Sequence, residues 1–298
     1  MDYYNEIKNK LIDNEVYKRV KNYSKNRNDL STYYEVGKLL YGAGNKYGEG
    51  IIKVYSINLT KELNKKYTKS SLYNMIKFYK LSENIIFHTL SGKLLWSHYC
   101  ELLPLKDRNE INYYINITEE HNLSVRELRE RIKNKEYQRL DDNTKLKLIN
   151  REELDIKDNI KNPIVIKDKL GVEKNKISEK VLQNLILEDI PSFLKELGQG
   201  FSFIENEYKI KIGNSYNYID LLLFNIKYNC YVVVELKVTE LKKEHIGQIE
   251  VYMNYIDKHI KTINQDKTIG IIISRRDNHY YIEYSSDKRI LTREYILN

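Results

Sequence analysis

Two neighbouring stretches decide the fold of this chain: YNYIDLLLFNI at residues 216–226 and CYVVVELKV at residues 230–238. Both are rich in β-branched, aliphatic and aromatic residues and are long enough for a strand, and the short segment between them fits a turn. They therefore predict a β-hairpin. Three charged residues interrupt its apolar runs, namely Asp220, Glu235 and Lys237.

The spacing of these charged residues predicts that they meet. Residues two apart on a strand face the same side, so Glu235 and Lys237 share a face while Leu236 packs on the other, and a hairpin brings Asp220 close to Glu235. Two facing carboxylates repel and are costly to bury unless a cation neutralises them. Mg²⁺, with Mn²⁺ as a substitute, suits carboxylate ligands, and a lysine beside it can orient a water or stabilise charge on a phosphate. A structural ion pair would explain Glu235 alone, but the three residues together favour phosphodiester chemistry.

The surrounding sequence extends the hairpin to a domain over residues 178–298. The order of helix, three strands, helix and strand (αβββαβ) predicts an α/β domain with a mixed sheet flanked by helices. The predicted elements beside the hairpin are a helix at 178–197 restarted near Pro191, a strand at 201–212, a helix at about 241–260 and a strand at 268–274.

These residues resemble the signature of the PD-(D/E)xK nucleases. Asp220 matches the first acid, residues 235–237 match the ExK element, and Ile219 stands where the proline that names the motif would be. Gln248 and Tyr252 are similar to the QxxxY motif of the RecB-like branch, and their spacing places them on one helix face. The resemblance implies a restriction-endonuclease-like fold and a Mg²⁺-dependent nuclease.

A wider resemblance covers the chain from about residue 30 to its end. The phrases YYEVGKLL at 33–40, LSVRELRERI at 123–132 and FLKELGQGFSFIENEY at 193–208 are similar, in this order, to the YhcG-type bacterial family. That family joins a winged-helix-like, DNA-binding N-terminal domain to a PD-(D/E)xK domain. The resemblance implies the same two-domain organisation here.

The resemblance also implies a third acidic metal ligand besides Asp220 and Glu235. Many members of the superfamily take it from the helix before the first strand. We expect Glu188 in this role, with Glu179 and Glu205 as alternatives.

Residues 57–81 have the apolar spacing of two short helices around a turn. In a helix-turn-helix, the second helix enters the major groove through its N-terminal residues. This interpretation places Lys69, Ser70, Asn74 and Lys77 at DNA. An ordinary helical hairpin explains the pattern equally well.

The domain boundaries follow from periodicity and composition. Helical spacing runs through residues 1–140, and a glycine cluster from Gly42 to Gly50 predicts a flexible loop within it. Residues 141–177 are polar, contain Pro163 and show broken periodicity, so we expect an interdomain linker there.

Composition adds weaker evidence. The net charge of +8 favours a polyanionic partner, although an AT-rich genome's codon usage would produce the same excess of lysine, asparagine, isoleucine and tyrosine. No signal peptide and no run of about 18 apolar residues is found, so we expect a cytoplasmic protein without a membrane partner. Cys100 and Cys230 lie outside any CxxC motif, which argues against a zinc site.

The expected function is a Mg²⁺-dependent DNA endonuclease in phage defence, restriction or DNA repair, with the N-terminal domain positioning the duplex. The alternatives are a non-cleaving DNA-binding or assembly protein and an RNA-directed nuclease, because a metal site reads phosphates and not sugars. A nuclease with one site per chain must form a homodimer or cut twice to sever a duplex. A defence-system or restriction partner would also fit.

Overall fold

The structure is a computed structural model that describes residues 2–20, 25–48, 50–84, 94–169, 171, 177–276 and 287–298. The chain divides into two compact units, Met1–Lys133 and Asn134–Asn298. Over these described ranges, each helix is too short or too polar to cross a membrane.

The described residues of the first unit form helices joined by turns, which confirms the predicted helical N-terminal region. The strands of a wing do not occur among those residues, so the winged-helix resemblance concerns the helices alone. The helices are α1 (Tyr3–Val20), α2 (Lys25–Tyr47), α3 (Gly50–Glu62), α4 (Lys69–Asn84), α5 (Trp96–Leu102), α6 (Arg108–His121) and α7 (Val125–Lys133).

The predicted pair of helices around a turn is formed by α3 and α4. Leu59 of α3 and Leu72 of α4 are fully buried in one apolar cluster, and Tyr67 in the turn packs with them. Thr68 caps α4, since its Oγ1 accepts a hydrogen bond from Ser71 N at 3.0 Å. The cap therefore sets the start of α4 at Lys69.

The flexible loop predicted at the glycine cluster is wrong for Gly42 and Gly44, which lie inside α2. A Cβ atom at Gly42 would come within 2.9 Å of the Tyr3 ring. The glycine therefore allows α1 to pack closely on α2, a role that local sequence cannot reveal. Gly48 follows the end of α2 and is outside both helices, whereas Gly50 is the first residue of α3.

The second unit is an α/β domain built on one mixed sheet. Its helices and strands are α8 (Asp142–Asn150), β1 (Ile164–Ile166), α9 (Glu179–Glu188), α10 (Ile190–Leu197), β2 (Phe201–Ile212), β3 (Ser215–Asn225), β4 (Cys230–Glu240), α11 (Lys243–His259), β5 (Asp266–Arg276) and β6 (Ile290–Leu297). Within the described residues, the strand order is β1-β6-β5-β4-β3-β2. The predicted αβββαβ order is confirmed, including the helix restart, since Pro191 lies in the first turn of α10.

Strand direction follows from the connections. The β2–β3 and β3–β4 pairs are antiparallel because short turns join them, whereas α11 carries the chain across to β5, which runs parallel to β4. β6 continues the parallel part beside β5, and β1 runs parallel to β6 at the edge.

Helices cover both faces of the sheet, so its central strands are apolar on both sides. From Leu221 onwards, α9 and α10 pack on alternate residues of β3 and β4 on one face, and α11 packs on the intervening residues on the other. Ile219, before Asp220, also lies on the α11 side. The first cluster includes Leu182, Leu185, Phe193, Leu221, Leu223, Val232, Val234 and Leu236. The second includes Ile219, Leu222, Val233, Ile249, Tyr252, Met253 and Ile272.

The structure differs from the predicted linker over residues 141–177. This segment contains α8 and β1, and it lies within the second unit. Arg293 of β6 donates a hydrogen bond from Nε to Ile160 O at 3.0 Å, and Arg139 donates from Nη1 to Pro163 O at 2.7 Å. The segment is thus held by side chains that lie outside it, one of them more than a hundred residues later in the sequence.

Gly37→Ala tests the close packing of α2 on α4. A Cβ atom at residue 37 would lie 2.1 Å from Met75 O, a backbone atom that cannot move aside cheaply. We expect the substitution to destabilise the protein by about 1–3 kcal/mol in urea unfolding. Gly44→Ala is the matched control, because nothing lies within 4 Å of its Cβ and alanine raises helix propensity. Equal losses in the two variants would contradict the packing described here.

Candidate active site

The candidate site lies where β3 separates from β4. The ladder between these strands ends at the Leu221–Val234 pair, so the next residues across from each other are Asp220 and Glu235. This is the register expected from the hairpin. Beyond the pair, the carboxylate of Asp220 continues the link, since Leu236 N donates a hydrogen bond to Asp220 Oδ2 at 2.7 Å.

Asp220 is fixed from both sides. Its side chain accepts the hydrogen bond from β4, and its carbonyl oxygen accepts one from Gln183 Nε2 of α9 at 3.1 Å. Burial raises the pKa of Asp220, and the bond from Leu236 and the charge of Lys237 oppose that rise. The carboxylate is therefore held in place before any ligand binds.

Glu235 is the most deeply buried charged group at the site, with 2% of its surface exposed. Its Oε2 lies 3.4 Å from Lys237 Nζ, whereas its Oε1 is buried and has no hydrogen-bond partner among the described residues. Burial and repulsion from Asp220 raise the pKa of Glu235 to about 8. A buried oxygen without a partner is costly unless a ligand or a proton satisfies it.

Lys237 is buried between acidic side chains. Its Nζ lies 3.4 Å from Glu235 Oε2 and 3.6 Å from Glu179 Oε2, at the first residue of α9. Burial works to lower the pKa of Lys237, but the carboxylates of Glu235, Glu179 and Asp220 outweigh it and raise the pKa. The ammonium group therefore stays charged at neutral pH.

Helix α11 contributes the predicted Gln248 and Tyr252. Gln248 Nε2 donates a hydrogen bond to Tyr252 OH at 2.9 Å, and Tyr252 is 5% exposed. Burial raises the pKa of Tyr252, and the charge of Glu235 adds to this effect. Gln248 and Tyr252 thus form a hydrogen-bonded pair on the face of α11 that packs against the sheet.

His245 at the start of α11 was missed by the sequence prediction. It is 9% exposed, and its Nδ1 accepts a hydrogen bond from Lys242 N at 3.1 Å, which leaves the proton of the neutral ring on Nε2. Burial lowers the pKa of His245, and the charge of Lys237 lowers it further. A single histidine without a motif gave no indication in the sequence that it would lie near Lys237.

The structure does not bring Glu188, the expected third acidic ligand, to the site. Glu188 ends α9, about 13 Å along the helix axis from Glu179, and is exposed. Glu179 lies beside Lys237 instead. Glu205 is exposed on β2, next to the bulge at residues 203–205. Glu179 and Glu188 lie at opposite ends of α9. The way this helix packs on the sheet determines that Glu179, and not Glu188, lies near Lys237.

Glu207 is a further acid that the sequence prediction missed. The pairs Asn206–Leu221 and Tyr208–Ile219 flank it, so it faces Asp220 across β2 and β3. It makes an ion pair with Lys180 Nζ at 2.6 Å. The turn between β2 and β3 could have revealed this residue, because counting back from the turn places Glu207 opposite Asp220.

The four residues predicted to contact DNA lie on α4 of the first unit. Lys69, Ser70 and Lys77 are exposed, and Asn74 is half-buried with its Nδ2 3.9 Å from Cys100 Sγ. Ser70, Asn74 and Lys77 are spaced by four and three residues, so they share one face of the helix. The structure thus places Ser70, Asn74 and Lys77 on one face of α4, with Lys69 at the start of the helix.

The donor set at the sheet fits a hard divalent cation. Asp220 and Glu235 supply carboxylate oxygens, and the unpartnered Glu235 Oε1 is a vacant acceptor. Over the described part of the chain, no cluster of three or more His, Cys, Asp and Glu side chains could hold a metal alone. Two protein ligands suit Mg²⁺, which completes its octahedron with waters and substrate oxygens.

Two known protein families match this chain, one in each unit. Residues 157–297 match the YhcG PDDEXK nuclease domain, and residues 9–139 match the DUF1016 N-terminal domain. A curated relative, "Putative nuclease YhcG" of Escherichia coli (strain K12), is 23% identical over 283 residues, which cover 82% of this chain and 76% of the relative.

Two solved structures are similar to part of the chain. A repair endonuclease from Pyrococcus abyssi is 21% identical with a TM-score of 0.30, and the match covers 41% of this chain and 49% of that one. EndoMS in a complex with double-stranded DNA is 19% identical with a TM-score of 0.30, covering 44% and 47%. The chain therefore spans about half the length of either solved protein.

The raised pKa of Glu235 predicts a pH-dependent stability when divalent metals are chelated. The folded protein keeps a proton on Glu235 up to about pH 8, whereas the unfolded chain releases it near the usual glutamate value. The free energy of unfolding should therefore fall as pH rises from about 5 to 8, by up to about 1.4 kcal/mol per pH unit. Glu235→Gln should flatten this slope in urea titrations.

Glu188→Gln is the matched control for this measurement, because Glu188 is an exposed glutamate of the same unit. Its slope should equal that of the unchanged protein. Equal slopes for Glu235→Gln and the unchanged protein would refute the raised pKa.

Proposed function

Because this chain belongs to the YhcG family and carries its PDDEXK nuclease domain, we propose that it is a Mg²⁺-dependent DNA endonuclease that hydrolyses phosphodiester bonds. The observation that carries the proposal is the group formed by Asp220, Glu235 and Lys237 at the separation of β3 and β4. Its two carboxylates repel each other and leave one buried oxygen unsatisfied. A cation relieves both costs.

Asp220 and Glu235 are the residues that would hold the cation. Leu236 N orients the carboxylate of Asp220, and the surrounding apolar sheet keeps the oxygens of Glu235 away from bulk water. When bound, Mg²⁺ lowers the pKa of a coordinated water and offsets negative charge on the phosphate oxygens. The protein's own part is to present these oxygens in a fixed position.

Lys237 stabilises the negative charge that develops on the phosphate, or orients the attacking water. Its ammonium group is held by Glu235 and Glu179 and keeps its charge in a site that excludes most water. A fixed cation in such surroundings acts strongly on a nearby anion. Gln248 donates to Tyr252 OH, which leaves the hydroxyl proton of Tyr252 for a further acceptor at the site.

We further propose that the first unit binds DNA through Lys69, Ser70, Asn74 and Lys77 of α4. The two lysines are exposed at the start and in the middle of the helix, where ammonium groups can replace the counterions of a phosphate backbone. Restriction, phage defence or DNA repair would suit such a protein, acting in the cytoplasm as a homodimer or with a partner.

Cleavage assays test the proposed activity. With Mg²⁺ or Mn²⁺, the full chain should cut or nick DNA, and Asp220→Ala and Lys237→Ala should lower the rate at least about a hundredfold. The substrates should be duplex, single-stranded and branched DNA and RNA. Preferential cleavage of RNA would overturn the DNA assignment.

Glu188→Gln is the control for these variants, since it removes a carboxylate from the exposed end of α9 and should leave the rate within about twofold. Glu179→Gln should lower the rate, because it removes an ion pair with Lys237. Full cleavage by both Asp220→Ala and Lys237→Ala would show that the site is placed wrongly.

Replacing Lys69 and Lys77 together by glutamate tests the surface on α4. Binding of duplex DNA in EDTA should weaken at least tenfold, and the slope of log K against log salt should fall by about 1.8, because each lost contact removes about 0.9. Lys53→Glu with Lys61→Glu, at exposed positions of α3, is the charge-matched control. The same loss in both pairs would indicate a general charge effect and not a site on α4.

A further inference from the structure

The hairpin of β2 and β3 extends beyond the part of the sheet that β4 covers. β4 pairs with β3 from Leu221 to Asn225, whereas β2 and β3 stay paired up to Ile212 and Ser215 at the turn. We refer to residues 208–219 as the β2–β3 arm. Its two faces have opposite character.

The inner face of the β2–β3 arm is apolar and covered. Ile210 and Ile219 are 1% and 0% exposed and belong to the apolar cluster under α11. This packing fixes the arm to the rest of the second unit. The outer face of the arm therefore has a defined position relative to the candidate active site.

The outer face of the arm consists of two lysine–tyrosine pairs. Lys209 pairs across the strands with Tyr218, and Lys211 pairs with Tyr216. The residues Tyr216 and Tyr218 are 56% and 52% exposed, and Lys209 Nζ lies 3.9 Å from the centroid of the Tyr216 ring. No acidic residue occurs between Tyr208 and Ile219, so the arm carries a local positive charge.

This surface begins at the candidate active site. Tyr218 is two residues from Asp220 on β3, a separation of about 6.6 Å, and Tyr216 is about 13 Å away. Glu207, which faces Asp220, precedes the arm on β2. A strand of nucleic acid with its phosphate at Asp220 could reach the arm within a few nucleotides.

We propose that the outer face of the β2–β3 arm binds a single-stranded stretch of DNA next to the phosphate that is cleaved. Lys209 and Lys211 contact backbone phosphates, and Tyr216 and Tyr218 stack on unpaired bases. Proteins that bind single strands combine basic and aromatic side chains in this way. The proposal rests on the proposed nuclease function for the identity of the ligand.

The composition of the face favours a polyanion over a protein partner. Lysine is depleted in the cores of protein interfaces, yet two lysines stand at the centre of this surface. The exposed tyrosines give planar rings, which are available to bases only where the bases are not paired with a second strand. The arm therefore serves a single-stranded or locally opened segment.

Fluorescence anisotropy with the full chain in EDTA tests the proposal. The probes are a labelled single-stranded oligonucleotide of about 30 nucleotides and the matching duplex. Lys209→Glu with Lys211→Glu should weaken single-strand binding at least tenfold, and the salt slope should fall by about 1.4, since each contact to a single strand accounts for about 0.7. All four side chains are exposed, so their replacement should leave the thermal unfolding midpoint within a few degrees.

The tyrosines are tested by paired substitutions. Tyr216→Ala with Tyr218→Ala should weaken single-strand binding at least tenfold and duplex binding less than threefold, whereas Tyr216→Phe with Tyr218→Phe keeps the rings and should bind almost normally. Lys258→Glu with Lys267→Glu, at exposed positions of the same unit, is the charge control.

Unchanged single-strand affinity in the arm variants would overturn the proposal. Equal losses for single strand and duplex would overturn the single-strand assignment, and a changed oligomeric state in light scattering would assign the arm to a contact between two copies of the chain. Failure of the nuclease function looks different. In that case the unchanged protein cuts no substrate with Mg²⁺ or Mn²⁺, while single-strand binding still depends on the arm.

Discussion

The hydrogen bond from Leu236 N to the Asp220 carboxylate determines how the second unit is built around its site. Up to Leu221 the backbones of β3 and β4 pair directly, and at Asp220 a side chain takes over the pairing. The strands can then separate without leaving that N–H group unsatisfied, which a buried backbone donor does not tolerate. The opening that results is lined by Glu235 and Lys237, and α9 and α11 close it from the two faces of the sheet.

The same arrangement lowers the stability of the folded protein when the site is ionised and holds no ligand. A proton on Glu235 or a cation beside it satisfies the buried oxygen, so the site costs free energy only when it is ionised and empty. Two other buried or half-buried groups of the unit are ion pairs whose partners lie close together. Lys161 and Glu136 lie 3.4 Å apart and are almost fully buried, and Arg289 bridges Asp257 and Asp287 at 2.7 and 2.6 Å. These pairs hold the segments around the sheet, whereas the acids at the site remain available to a ligand.

The sequence predicted those features that depend on local order. Alternation within β3 and β4, together with a short turn, fixes which residues share a face, so the central strands and the position of Asp220 across from Glu235 could be read directly. It did not predict β1, because three apolar residues in a polar segment form a strand only by pairing with β6, more than a hundred residues later. Nor could it choose between Glu179 and Glu188, since both lie at ends of one helix and its docking on the sheet decides which end meets Lys237.

The pairing of β1 with β6 also determines where the chain can be shortened without uncovering a long strand. Cutting the chain at Ser178, where the apolar periodicity begins, would remove β1 and expose the backbone of β6, including Ile296 and its neighbours, as a free sheet edge. Such an edge recruits strands from other molecules and leads to aggregation. A cut at Asn134 keeps the edge covered, because β1 and the segment that anchors it stay with the sheet. The second unit therefore begins well upstream of the strands that carry Asp220, Glu235 and Lys237.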